Sequence, residues 1–320
     1  MRVATDRPNL VRFLCALSVA MALAGCSTSP QGGLPSVSAH GATGSRANPT
    51  LPSSLLYLIH GYGKRGMSML SFPEGQPVGK KILMPTVAQA NPCSDNKGNV
   101  FVPADGWILE YAHGGRSPIA VLKGASQPSG CASDPVTGNL AVTIFPNHRC
   151  TIQIYKGATG NPQTLHDKHF PYCDLPTYDD RGDLFFQAEN GSRSVLGELP
   201  AGSSAFTSIK LNTPIPTFWY LQWDGADVAI AAPEQGSQDL PVVIFRVQVV
   251  CTNGTVIAKL HFDGWTRQEW TFWIQDGMIV APLTTEYLKF GVWRYTQNGK
   301  LLDTFSVPGE YVGMTVSKTP

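Results

Sequence analysis

From Leu55 onward the chain repeats itself about every forty residues, and this constrains its fold more than any other feature. Each repeat has an aspartate, a glycine a few residues later, and then a short apolar run. The first copy reads Asp95-Asn96-Lys97-Gly98-Asn99-Val100-Phe101-Val102, and the second runs from Asp134 to Val142 through Gly138 and Asn139. Further copies are built on Asp179 and Gly182, Asp224 and Gly225, and Asp276 and Gly277. The turn glycines at 98, 138, 182, 225 and 277 are spaced by 40, 44, 43 and 52 residues. An aspartate that bonds its own backbone and a glycine that accepts positive φ make a tight hairpin turn. Catalytic or metal-binding groups would break the repeat. These five aspartates obey it, and they are read as turn formers.

Beyond each turn the pattern continues as a strand, a polar loop and a third strand, such as Ile108–Tyr111, Ile152–Tyr155 or Val292–Tyr295. A fourth strand follows, as at Ile119–Leu122 or Thr207–Leu211. Four antiparallel strands per forty-odd residues are the unit of a β-propeller blade. The composition agrees: 15% charged residues, against about 25% in average domains, with 32 Gly and 25 Pro, suits short strands joined by turns. The ends set the count. Leu55–Ile59 starts like a second strand without a first, and Tyr311–Val316 looks like a first strand without a blade. Pairing the two closes the ring at six four-stranded blades and removes exposed sheet edges. The expected fold is therefore all-β, with almost no helix outside the leader.

The string Asp-x-x-Gly-Asn-Val/Leu followed by Ile-x-x-Tyr resembles NHL-repeat and gluconolactonase-like propellers. It is more similar still to a group of bacterial propeller lipoproteins that carry Asp-Pro-x-Thr-Gly-Asn-Leu-Ala-Val-Thr, here Asp134–Thr143. The resemblance covers residues 53–318 and specifies the blade, since its residues serve turns and sheet packing. It specifies no activity; the gluconolactonase-like likeness implies, as the alternative to a binding propeller, a metal-dependent hydrolase or lyase.

Residues 1–25 read as a lipoprotein signal peptide. Arg2, Arg7 and Arg12 form a basic start, Phe13–Leu23 is an apolar run too short to span a bilayer, and Leu23-Ala24-Gly25-Cys26 looks like a lipobox. Acylation is expected on Cys26. Ser27 stands where an inner-membrane retention aspartate would sit, which points to the outer membrane, facing the periplasm or the exterior. Residues 26–52 are rich in Ser, Gly, Pro and Thr and read as a flexible tether, leaving 53–320 as the propeller. Removing Arg2, Arg7, Arg12 and Asp6 from 24 basic and 23 acidic residues leaves a net charge of −1, which gives nucleic acid no basic surface. The membrane is reached through the lipid on Cys26, and the chain is read as a monomer.

In such a fold the starts of the innermost strands and the loops between second and third strands open on one face. That face is expected to bind an unidentified protein, peptide or carbohydrate around His60, Trp107, His148, Arg149, Tyr172, Asn190, Trp219 and Glu234. Its loops differ from blade to blade, and varied loops on a rigid scaffold are where partners are read. The Asp-Gly turns opposite are short and regular, and are expected to offer little for recognition. The starts of the inner strands, Asn91-Pro92-Cys93, Ser129-Gly130-Cys131, Pro171-Tyr172-Cys173, Phe218-Trp219-Tyr220 and Phe272-Trp273-Ile274, contain no metal-ligand set. No cofactor, metal or catalytic residue is assigned, and a binding protein is preferred over an enzyme. Trp265, Trp270 and Trp273 are expected to pack between blades. Cys93, Cys131, Cys150 and Cys173 should share one face; Cys150–Cys173 is the chosen bridge, Cys131 is the rival partner, and Cys251 is expected to be free.

Overall fold

The computed structural model describes residues 51–61, 65–86, 88, 90–104, 106–145, 149–190, 193–215, 220–234, 241–265, 271–283, 289–296, 298–309 and 311–319. Strands β1 (Ser54–His60) and β2 (Met67–Ser71) begin the first sheet. A four-stranded meander follows, made of β3 (Cys93–Ser94), β4 (Val100–Ala104), β5 (Trp107–Tyr111) and β6 (Ala120–Lys123). The next contains β7 (Pro128–Ser133), β8 (Leu140–Ile144), β9 (Cys150–Tyr155) and β10 (Gln163–Asp167). The single 3₁₀ turn among the described residues, Lys156–Ala158, lies in that sheet's last connection.

The meander β11 (Cys173–Tyr178), β12 (Leu184–Asn190), β13 (Arg193–Leu199) and β14 (Thr207–Leu211) is continuous with another. That second meander is β15 (Tyr220–Trp223), β16 (Val228–Pro233), β17 (Val242–Val250) and β18 (Asn253–His261). The two join through a short parallel contact that sets Lys210 and Leu211 beside Asn253 and Gly254. The nine-residue strands β17 and β18 account for the 52-residue step in the repeat. Strands β19 (Trp273–Gln275), β20 (Met278–Pro282), β21 (Lys289–Arg294) and β22 (Leu301–Ser306) form the last meander. Strand β23 (Tyr311–Lys318) returns to pair antiparallel with β1, with Leu56 opposite Val316 and Leu58 opposite Met314. Among the described residues this sheet therefore has three strands, not the expected four, with only isolated bridges from Pro77 and Ile82 beyond β2.

The turns show why the aspartates repeat. Asp95 Oδ1 accepts the amides of Lys97 (3.0 Å) and Asn99 (2.7 Å). Asp134 Oδ1 takes Val136 N–H (2.8 Å), Asp179 Oδ1 takes Arg181 and Asp183 N–H (both 2.9 Å), and Asp224 Oδ1 takes Ala226 (3.0 Å) and Asp227 (2.8 Å). Such bonds satisfy turn amides that no strand neighbour can reach. The fifth turn differs. Asp276 (φ 51°) and Gly277 (φ 73°) are both left-handed, which makes a two-residue hairpin turn, and the Asp276 carboxylate pairs with Lys318 Nζ at 2.9 Å.

Burial follows position within each meander. The second strands β4, β8 and β16 are buried at every residue, as their almost wholly apolar sequences suit in strands covered on both faces; the exception, Thr143 of β8, bonds Gly130 O through its hydroxyl. Outer strands such as β14 alternate. Each buried Leu, Ile, Val or Phe contributes about 1.5–3 kcal/mol, so the inter-sheet clusters dominate stability. Phe101, Leu122, Val142 and Tyr155 fill the space between the second and third sheets. Ile152, Phe170 and Phe186 bridge to β11–β14, and Leu196, Ile230 and Phe245 connect that meander to β15–β18. Trp265 and Trp293 stack at 6.1 Å between β15–β18 and β19–β22. Phe290 and Val280 meet Leu58 and Met314 of the first sheet, whose other face packs Tyr57 and Met69 against Val102 and Tyr111. Trp273 packs half-buried at the first of these interfaces; Trp270 lies outside the described residues.

The innermost strands adjoin one another in order: β23 beside β3, β3 beside β7, β7 beside β11, β11 beside β15, and β19 beside β23. Between β15 and β19, Gln222 donates to Ile274 O and accepts from Ile274 N, both at 2.8 Å. Two disulfides brace this arrangement. Cys93–Cys131 joins β3 to β7, and Cys150–Cys173 joins β9 to β11. Cys251, expected to be free, is disulfide-bonded as well, and it sits half-buried at a hairpin tip with φ 52°.

Candidate functional site

In a meander the start of the first strand and the second-to-third connection fall at one end. His60 (end of β1), Trp107 (start of β5), Arg149 (ahead of β9), Tyr172 (ahead of β11), Asn190 (end of β12) and Glu234 (after β16) all occupy that end. His148, Trp219 and Cys26 lie outside the described residues, as does the side chain of Asn190.

The described side chains occupy separate neighbourhoods. His60 is not on the open surface: it is 2% exposed, with Nε2 2.9 Å from Ser68 Oγ and its ring 4.8 Å from that of Tyr311. A register shift at Ile59/His60 accompanies this turn of the ring into the sheet. Trp107 is exposed, with Lys123 Nζ 5.5 Å over its ring, and Arg149 is exposed in its loop. Glu234 accepts from His261 Nε2 at 3.1 Å.

Tyr172 leads to a residue that the sequence reading passed over. Its hydroxyl donates to Asp174 Oδ2 at 2.6 Å, and Asp174 Oδ1 accepts the Leu175 amide at 2.7 Å. The pairing of β11 with β12 slips between Asp174 and Thr177, and Leu175, 93% buried, takes the left-handed φ of 49°. A branched side chain held there costs strain that the surrounding packing must impose, and such bulges re-aim side chains. Here the bulge turns Asp174 inward at the start of an innermost strand. The residue is half-buried and its carboxyl is walled by protein, so burial raises its pKa; the Tyr172 and Ser129 hydroxyls and the Leu175 amide pull the other way. Burial and the neighbouring carboxylates of Asp174 and Glu189 push the Tyr172 phenol far upward, so it stays a hydrogen-bond donor.

Around this pair lie Ser129, bonded to Thr143 Oγ1 at 3.0 Å, and the Phe145 ring, 5.6 Å edge-on to Tyr172. On the next inner strand, Tyr220 is buried and feels the Asp174 charge. On the neighbouring side, Asn91 N–H donates to Ser129 O at 3.3 Å, and Asn91 Oδ1 is buried without a partner among the described residues. The result is a carboxyl, a phenol, hydroxyls and an amide gathered where the inner strands begin. Together they can accept and donate hydrogen bonds to a polar ligand. Among the described residues no three His, Cys, Asp or Glu side chains are grouped to hold a metal ion.

The turn face, expected to offer little for recognition, carries a concavity. A cavity of about 440 Å³ opens between the turns of β7–β10 and those of β11–β14, walled by Asp134, Lys156, Tyr178, Arg181 and Leu199 among others. It exists because loops of two neighbouring sheets meet there, which no single repeat announces.

Comparison with known proteins defines the class. No family model and no curated protein matches this chain. Among solved structures, a chain of a nidogen/laminin complex aligns at TM-score 0.61 and 12% identity, covering 82% of this chain and 98% of its own length. TolB from Acinetobacter baumannii aligns at TM-score 0.57 and 14% identity, covering 82% and 66% respectively. The β-propeller domain of Myceliophteria thermophila Cps50 (Swd1) aligns at TM-score 0.53 and 13% identity, covering 80% and 84%. At these identities the likeness concerns fold alone: the chain is a β-propeller.

Proposed function

We propose that this chain is a lipid-anchored extracytoplasmic propeller that binds a protein, peptide or carbohydrate ligand on its loop-bearing face, at or beside Asp174 and Tyr172. We further propose that its sheets are six blades of a closed ring of the NHL-like kind. The sequence of inner-strand contacts from β23 round to β19 and back supports closure. The lipobox ending in Cys26, followed by a tether, supports anchoring, and Ser27 the outer membrane.

One observation carries the binding reading. A strained bulge holds a half-buried aspartate and its phenol donor at the start of the inner strands, on the face whose loops differ most between blades. Carboxyl and phenol together suit hydroxyl- or amide-rich ligands. The metal-dependent hydrolase reading has less support, because the described residues gather no ligand set.

Two experiments test the proposal. Labelled palmitate should be incorporated by the wild type and lost in Cys26→Ser; an unlabelled wild type ends the lipoprotein reading. Once a ligand is in hand, alanine at Trp107, Arg149, Trp219 or Asp174 should weaken its binding. Unchanged affinity in all four moves the site elsewhere.

A further inference from the structure

The cavity on the turn face belongs to neither the loop-bearing face nor the repeat's structural logic. Its volume of about 440 Å³ lies within the range of small-molecule sites, about 300–1,000 Å³. Ile154, Leu165, Leu184, Leu199 and Pro200 give it apolar walls. Its polar groups are unevenly engaged. Asp134, the one carboxylate among the described lining residues, gives one oxygen to Val136 N–H and the other to the Thr137 hydroxyl. Arg181 is held through Nε and one terminal nitrogen by Asp179, and that same terminal nitrogen lies 3.4 Å from the Asp183 carboxylate, leaving its other terminal nitrogen without a partner among the described residues. Asn139 Oδ1 accepts Gly157 N–H at 2.9 Å, so its amide nitrogen points away from that bond.

Lys156 and Gln163 line the same space, and no hydrogen bond or ion pair joins either side chain to another described residue. The Asp134 carboxylate and the Asn139 oxygen are therefore engaged by the turns, while an ammonium, a guanidinium nitrogen and two amide nitrogens remain as donors. A site of that kind complements an acceptor-rich anion with an apolar body.

We propose that this cavity binds a small organic carboxylate, its apolar body between Leu165 and Leu199 and its carboxylate toward Lys156. This second site is independent of the one proposed on the loop face.

The test is isothermal titration of the detergent-solubilised full-length protein with hexanoate and phenylacetate, beside their neutral amides. At least one carboxylate should bind saturably at one per chain, and its amide at least tenfold more weakly. Lys156→Met, which keeps the apolar stem, should weaken the carboxylate at least fivefold. Ala201→Trp, which fills the cavity from an exposed loop position, should abolish binding, whereas Leu83→Ala, at an exposed position outside the cavity, should leave it unchanged. Saturation by neither carboxylate, equal affinity for an amide, or binding that survives Ala201→Trp would overturn the proposal.

Discussion

Replacing His113 with alanine should loosen the junction between the first two sheets. His113 Nε2 lies 3.0 Å from Pro52 O, which can only accept, so that nitrogen carries the proton. Nδ1 must then accept from the Ser317 hydroxyl at 2.6 Å. Ser317 is fully buried on β23 and also bonds the Tyr57 hydroxyl, which in turn accepts Gly114 N–H at 2.7 Å. One imidazole thus ties the second sheet to β23 and to the segment entering β1. Losing two hydrogen bonds at about 0.5–1.5 kcal/mol each, and leaving a buried hydroxyl without its acceptor, should together cost about 2–4 kcal/mol. At this chain length that lowers Tm by about 4–8 °C. Urea unfolding followed by tryptophan fluorescence should show a lower midpoint with an unchanged m-value. Ser317→Ala in the His113→Ala background should cost at least about 1 kcal/mol less than it does alone, because the partners form one network. A His113→Ala loss under about 0.5 kcal/mol, or strict additivity, would refute the latch.

Three further outcomes follow from buried polar groups and cross-links. Arg246 Nε and a terminal nitrogen each lie 2.6 Å from the buried carboxylates of Asp224 and Asp227, so Arg246→Met should cost about 2–4 kcal/mol by denaturant titration, somewhat discounted for the partly exposed guanidinium. Asp174 has a folded pKa raised above 3.8, so its charged form is penalised above the folded value and relieved as pH falls toward the unfolded one. The stability of the wild type relative to Asp174→Asn should therefore rise on acidification through that window, and a pH-independent difference would contradict the burial argument. Non-reducing peptide mapping should recover Cys93–Cys131 and Cys150–Cys173, and losing either should cost about 3–4 kcal/mol by loop entropy.

What the sequence discloses here is what is local or periodic. The turn aspartates bond amides two to four residues away, so their spacing is visible without any fold. The half-strands Leu55–Ile59 and Tyr311–Val316 stand out because each lacks the rest of its repeat. Asp174 was passed over because it follows Cys173 directly and looks like an ordinary strand residue. Only the slip at Leu175 turns it inward, and that slip depends on how β11 meets β12. His60 lies at the expected end but is buried for a related reason, since polarity suggests the surface while the sheet folds Tyr311 against it. The Cys93–Cys131 bridge and the turn-face cavity are products of neighbouring sheets, and no pattern within one repeat encodes such a meeting.

The most direct test of the binding account is site-specific photo-cross-linking in intact cells. A photoreactive residue would be placed at Trp107, Arg149 or Glu234 on the loop-bearing face, and at Asn96 or Asp180 on the turn face. The account predicts discrete, saturable adducts from the loop-face positions, lost on adding Asp174→Ala, and none from Asn96 or Asp180. Adducts confined to the turn-face positions, or loop-face adducts indifferent to Asp174, would contradict it.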